Sequence, residues 1–107
     1  MKRYEIRWAS LDPTTGSEMA KRRPVVIVSR DELNARLNAV TICPLTNQIH
    51  PTWRTRVGVR VARKSAEVAA DHIRTISKER LGKKLGDPSA KDAAALRRVI
   101  AEMYAVE

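Results

Sequence analysis

Arg23 closes the polar stretch Gly16-Ser17-Glu18-Met19-Ala20-Lys21-Arg22 and stands at the mouth of an apolar run, Pro24-Val25-Val26-Ile27-Val28. That run predicts a rigid strand, which holds Arg23 at a fixed point instead of loose in solvent. A fixed guanidinium with five donors is the side chain best suited to a phosphate. A second run, Val40-Thr41-Ile42-Cys43-Pro44-Leu45-Thr46, ends on a hydroxyl. If the two strands are neighbours, Arg23 and Thr46 converge on one phosphate.

The chemistry open to such a pair is narrowed by what the chain lacks. It has no Walker-type glycine loop and no Ser-His-Asp or Cys-His signature. His50 and His72 are its only histidines and Cys43 its only cysteine, so Cys and His cannot assemble a metal cluster. An enzyme built from this chain must work with few groups. RNA permits that, because each phosphodiester has a 2′-hydroxyl nucleophile beside it. The protein then has to splay the strand, align that hydroxyl with phosphorus and stabilise the pentacovalent charge. DNA lacks the hydroxyl and cannot react in this way. Taken singly, each residue also has a bland reading: Arg23 as a strand-flanking surface arginine, Thr46 as a strand end bonded to local backbone, Asp71 paired with a nearby arginine, His72 packed locally.

The elements that must position these groups follow from periodicity. Tyr4 to Leu11 predicts a strand, with Tyr4, Ile6 and Trp8 on one face and Glu5 and Arg7 on the other. Trp8 is assigned to the core. Asp12-Pro13-Thr14-Thr15-Gly16 is turn chemistry, and the loop runs on to Arg23. Pro24 to Val28 does not alternate, which predicts burial on both faces. Ser29 and Glu32 have capping-box spacing and open a short helical turn through Leu37. Arg54 to Val61 alternates, with Val57, Val59 and Val61 inward and Arg54, Arg56 and Arg60 on a wet face. Glu67 to Ser77 predicts mostly strand, Lys78 to Arg80 one helical turn, and Leu81 to Leu85 a short strand. Asp87-Pro88-Ser89 caps a final amphipathic helix in which Leu96, Val99, Ile100 and Met103 recur at helical spacing. Five or six short strands with one C-terminal helix predict a small, strongly bent barrel-like sheet.

Composition points the same way. At 107 residues the chain is one domain, 1–107, large enough for a core without disulfides or metals. With no Phe, that core must be Val, Ile, Leu, Ala and Met. The 21 basic residues exceed 12 acidic ones by a net +9, which favours a polyanionic partner, nucleic acid first. Arg outnumbers Lys 14 to 7, which leans toward specific phosphate and base contacts. The start Met1-Lys2-Arg3-Tyr4-Glu5 has no apolar signal region, and no stretch approaches the ~20 apolar residues of a membrane helix. The expected location is the cytoplasm, with no membrane partner.

Together the residues resemble the MazF/PemK family of type II toxin endoribonucleases. Five short blocks, in order, carry the resemblance from Tyr4 to the last helix: Leu11-Asp12-Pro13, Gly16-Ser17-Glu18, Arg23-Pro24-Val25-Val26, Pro44-Leu45-Thr46 and Ile73-Arg74-Thr75-Ile76. The resemblance implies a mainly β fold, the SH3-like small barrel shared by MazF, PemK and CcdB toxins, with a C-terminal helix. It implies a homodimer that cuts single-stranded RNA at short motifs without a metal or other cofactor, leaving 2′,3′-cyclic phosphate and 5′-hydroxyl ends. It also implies a cognate antitoxin of MazE-like or similar type, whose acidic segment occupies the RNA groove.

Carried over residue by residue, the family pattern makes Arg23 and Thr46 catalytic and places RNA contacts at Ser17, Glu18, Asp71 and His72. Lys21, Arg22, Arg54 and Arg56 are candidates for the phosphates. Asn47 and Gln48 join Glu18, Asp71 and His72 as candidates for reading base edges. Lys2-Arg3-Tyr4-Glu5-Ile6, Met19, Ala69 and His72 depart from the common pattern, so cleavage motifs do not transfer from relatives. Two other readings stand beside this one: a CcdB-like toxin that inhibits DNA gyrase without catalysis, and a barrel-type RNA-binding module.

Overall fold

The computed structural model describes residues 1–11 and 21–105. Seven strands and two helices follow in order: β1 (Ile6–Ser10), β2 (Arg22–Ile27), α1 (Asp31–Arg36), β3 (Ala39–Thr46), β4 (Arg56–Val61), β5 (Lys64–Ala69), β6 (Arg74–Ser77), β7 (Leu81–Gly86) and α2 (Ala90–Tyr104). All pairings are antiparallel, in the order β4-β5-β3-β2-β1-β7, with β6 also on β3.

β2 lacks alternation because both its faces are covered. Val26 and Val28 enter one cluster with Ile6, Cys43, Leu45, Val57, Val59, Val68 and Leu96. Val25 and Ile27 enter a second with Ala9, Leu11, Val40, Ile42 and Ile76. α2 closes the first cluster. Its Leu96 is buried, and Val99, Ile100 and Met103 pack beside it. Ser89 caps this helix, its Oγ accepting from the Asp92 N–H at 3.1 Å, while Pro88 lies just outside.

β3 carries the bend. Residues 39–42 pair with β6, residues 42–44 with β2, and Leu45 and Thr46 with β5. β6 and β5 succeed each other along β3, with Cys43 and Pro44 between their registers. The missing N–H of Pro44 falls in that interval. The expected long strand over Glu67–Ser77 is therefore split. β5 ends at Ala69, a 3-10 turn takes Ala70–His72, and β6 begins at Arg74. The turn lets two strands share β3.

Three other expectations are corrected. Tyr4 lies outside β1, with a φ of 71°, and its N–H bonds the Ile27 carbonyl. The Ser29–Glu32 capping box does not form. α1 starts at Asp31 behind Arg30, which gives no side-chain cap. Ser29 is drawn instead to the buried Asn34 side chain and to the Thr41 N–H at 3.1 Å. The described strands number seven and not five or six, because the Glu67–Ser77 strand is divided into β5 and β6, and β5 itself begins early, at Lys64, after a two-residue turn. Ala62 and Arg63 both take positive φ there, 49° and 66°, without the Gly or Asn that marks such hairpins in a sequence.

Candidate active site

β2 begins and β3 ends at the same edge of the barrel. Val25 lies opposite Pro44, so continuing the antiparallel register brings Arg23 level with Thr46. Arg23 reaches across, its Nη1 donating to the Leu45 carbonyl at 3.3 Å. Both residues line one open cavity of about 340 Å³ with Trp8, Arg22, Pro24, Asn47, Val61 and Ala66. The convergence expected from the sequence is thus met in the geometry.

Thr46 is buried, at 8% exposure. Its Oγ1 accepts from the Gln48 N–H at 3.1 Å. A hydroxyl that accepts a backbone donor still has its own proton to give. Thr46 can therefore donate into the cavity from a position fixed by the strand on one side and by the loop on the other. The cavity offers a guanidinium and a hydroxyl donor, the pair a phosphoryl group with developing negative charge requires.

Trp8, assigned to the core from its alternation, is only half-buried and belongs to this cavity instead. The exposed Arg22 lies over its ring at 4.9 Å. Its place opposite Pro24 in the β1–β2 register brings it there, and the apolar period of β1 does not reveal that partner.

The remaining candidates divide by position. Ser17 and Glu18 lie outside the described residues. Lys21 is exposed, with a φ of 69°, and its carbonyl accepts from the Leu11 N–H at 3.0 Å. Asn47 and Gln48 are exposed immediately after Thr46, and Arg54 is exposed further along the same loop.

Arg56 corrects the expectation of a wet arginine face on β4. Its side chain is only 6% exposed. Its Nε donates to Asp71 Oδ1 at 2.9 Å, its Nη1 lies 3.6 Å from Glu67 Oε1, and its guanidinium sits over Trp53 at 4.7 Å. Two carboxylates and an indole cover the charge, while Arg54 and Arg60 of that expected face are exposed. Trp53, half-exposed, also stacks on His50 with centroids 3.9 Å apart and 8° between the planes. His72 Nε2 stands 3.6 Å from Asp71 Oδ2, so Asp71 and His72 adjoin the Arg56 network.

Burial pushes the Asp71 carboxyl up, but the hydrogen bond and charge of Arg56, with His72 adding to them, outweigh it. Asp71 is held below the usual carboxylate range. A depressed folded-state value means stability that is present above the unfolded value of about 3.9 and is lost as pH falls through the folded one. Asp71→Asn is accordingly expected to melt at a lower temperature than the wild type at pH 7. Thermal melts from pH 7 to pH 2 should show the difference shrinking in the acid limb. A difference that stays constant to pH 2 refutes the assignment. Cys43 is inert by contrast: burial first, then the Asp71 charge, pushes its thiol up to about 12. Among the described residues no three His, Cys, Asp or Glu side chains group as metal ligands.

Sequence reasoning missed Glu67. It is 4% exposed, lies opposite Thr46 in the β3–β5 register, and accepts the His50 N–H with both carboxylate oxygens at 3.0 Å. A single Glu inside Ser65-Ala66-Glu67-Val68-Ala69 carries no signal of burial.

Comparison with known proteins agrees with this architecture. Residues 2–104 match the family model described as PemK-like, MazF-like toxin of type II toxin-antitoxin system. The chain is 36% identical to Endoribonuclease MazF9 of Mycobacterium tuberculosis over 108 aligned positions, covering 90% of this chain and 89% of that protein. It is 32% identical to Endoribonuclease MazF of Staphylococcus saprophyticus, over 79% of this chain and 75% of that one. Among solved structures, the Mycobacterium tuberculosis toxin MazF-mt6 superposes with a TM-score of 0.79 at 27% identity, covering 96% of this chain and 98% of the other. MazF from Deinococcus radiodurans superposes with a TM-score of 0.83 at 23% identity, over 96% and 94%, a likeness of fold.

Proposed function

We propose a reaction for a chain that belongs to the PemK-like, MazF-like toxin family of type II toxin–antitoxin systems: it is an endoribonuclease, and it cuts single-stranded RNA through the Arg23–Thr46 cavity. The carrying observation is the convergence of these two side chains from separate strands on one open cavity. The ribose 2′-oxygen attacks phosphorus, the P–O5′ bond breaks, and the 2′-proton leaves to solvent while the departing O5′ takes one up. The products are a 2′,3′-cyclic phosphate and a 5′-hydroxyl. Arg23 stabilises the phosphorane and the departing oxygen by charge-assisted hydrogen bonds. A guanidinium carries five N–H donors and no acceptor, which suits Arg23 to that role. Thr46 donates to a nonbridging oxygen.

Lys21, Arg22 and Arg54 lie exposed where they can follow the phosphates, and Asn47, Gln48 and the Asp71–His72 pair can meet splayed bases. Ser17 and Glu18 complete that set in this reading. Arg56 acts from beneath, as the cation that fixes Asp71. The domain spans 1–107 and works as a homodimer in the cytoplasm. A cognate antitoxin silences it with an acidic segment attracted by the net +9. No described helix is long and apolar enough to cross a membrane. A gyrase poison or a plain RNA-binding module would have no use for a buried threonine donor beside Arg23.

Incubation of purified protein with a mixed-sequence RNA in EDTA, followed by mapping of 5′ ends, separates the readings. Cutting at a short motif to leave 5′-hydroxyl ends is expected. Binding without cutting, or gyrase inhibition with RNA untouched, overturns it.

A further inference from the structure

We propose that Glu67 is a positioning residue for cleavage, holding the Thr46 hydroxyl in its donating orientation through the loop that leaves it. The inference rests on the ribonuclease reading above. Glu67 is one of four buried polar or charged residues among those described, and it sits in register with Thr46 on the adjacent strand. The loop from Asn47 to Thr55 is pinned near its start at two backbone donors. The Gln48 N–H goes to Thr46 Oγ1 at 3.1 Å, and the His50 N–H goes to Glu67 at 3.0 Å.

The first pin decides which way the threonine hydroxyl points. While Oγ1 accepts from Gln48, its own proton faces elsewhere and is available to substrate. The second pin lies two residues on and keeps the Gln48 N–H in place. Beyond it, the side chains of Asn47, Gln48 and Ile49 are exposed, and the stretch is next held at His50, whose ring stacks on Trp53 and whose carbonyl accepts from the Trp53 N–H at 3.0 Å. Small errors in the placing of a donor translate into large losses of rate.

Glu67 also has a separate, structural duty. Arg56 Nη1 is buried without a hydrogen-bond partner, and the Glu67 charge 3.6 Å away is its compensation. The two duties call on different properties of the side chain. The loop needs an acceptor; Arg56 needs a negative charge. Substitutions can divide them.

Glu67→Gln keeps an acceptor and loses the charge. It should melt at a lower temperature than the wild type yet retain most of its kcat on RNA. Glu67→Leu loses both, and its kcat should fall by roughly a hundredfold with KM little changed. Kinetics are measured well below the melting temperature of each variant, with folding verified by circular dichroism. Hydrogen exchange read on the His50 and Gln48 amides, with no RNA present, should be accelerated in Glu67→Leu and near wild type in Glu67→Gln. If Glu67→Leu does not fold at any usable temperature, Glu67→Leu with Arg56→Met removes the buried charge as well and keeps the exchange test available. Three results overturn the inference: wild-type kcat in a folded Glu67→Leu, Glu67→Gln as slow as Glu67→Leu, or unchanged exchange at the two amides. A wild-type chain that cuts no RNA overturns the functional reading itself, whatever the exchange shows.

Discussion

Arg23→Ala is expected to fold as the wild type does and to lose RNA cleavage by on the order of a hundred- to a thousandfold in kcat, and Thr46→Ala to fall by a similar factor. Both groups act on charge that develops only as the phosphorane forms, so kcat should fall more than KM rises. Neither side chain belongs to the two apolar clusters, so melting temperatures should move little. Conservative variants sharpen the test. Arg23→Lys keeps the charge but loses the planar fork that can serve two phosphoryl oxygens, and it should recover only part of the rate. Thr46→Ser keeps the hydroxyl and the acceptor for Gln48 and should recover most of it. Single-turnover cleavage of a defined RNA reads all four. Full activity in either alanine variant removes that residue from the mechanism.

Removal of one oxygen from the substrate should have a still larger effect. A single 2′-deoxy nucleotide on the 5′ side of the scissile phosphate takes away the attacking group. Cleavage at that site is then expected to stop altogether, while affinity for the same oligonucleotide stays close to that of the all-RNA strand. Binding draws mainly on phosphate contacts and on bases turned out toward the groove, and those are untouched. Gel analysis of the cut and a filter or anisotropy titration on the same oligonucleotide separate the two quantities. Residual cutting at the deoxy site would mean that water or a protein group is the nucleophile, and the proposed role of Arg23 would have to change with it.

Much of this architecture was legible in the chain because it depends on local pattern. A run such as Pro24 to Val28, apolar at every position, has no wet face, and its residues through Ile27 form the inner part of β2, covered on both sides. Leu96, Val99, Ile100 and Met103 recur every three or four residues, and the helix follows, with Ser89 as its cap. Thr46 closes an apolar run, and the strand ends there. In each case the side chains that signal the element are the ones that stabilise it.

Elsewhere a partner distant in sequence changes the meaning of a residue. The alternation of Arg54 to Val61 placed Arg56 on a wet face, but Glu67 and Asp71 arrive from β5 and the following turn to cover it. Alternation gave Trp8 to the core, but β2 brings Arg22 across it and opens its flank to the cavity. Ser29 and Glu32 had the spacing of a cap, but Asn34 and Thr41 were better partners for Ser29. The hairpin between β4 and β5 lacked its usual residues, since Ala62 and Arg63 take positive φ under the pull of the paired strands.

By itself the sequence determined the parts: the identity and order of the strands that carry Arg23 and Thr46, the helix that closes the core, and a cationic surface suited to a polyanion. These are consequences of short-range periodicity and of charge, which need no knowledge of neighbours. Only the tertiary structure decided that Arg23 and Thr46 share one cavity, that Arg56 lies beneath Asp71 and not in solvent, and that Glu67 stands across from Thr46 and anchors its loop. The physical reason is that a buried charge or a shared cavity is a property of pairs brought together by strand register, and the bend of β3 between β2, β5 and β6 sets that register.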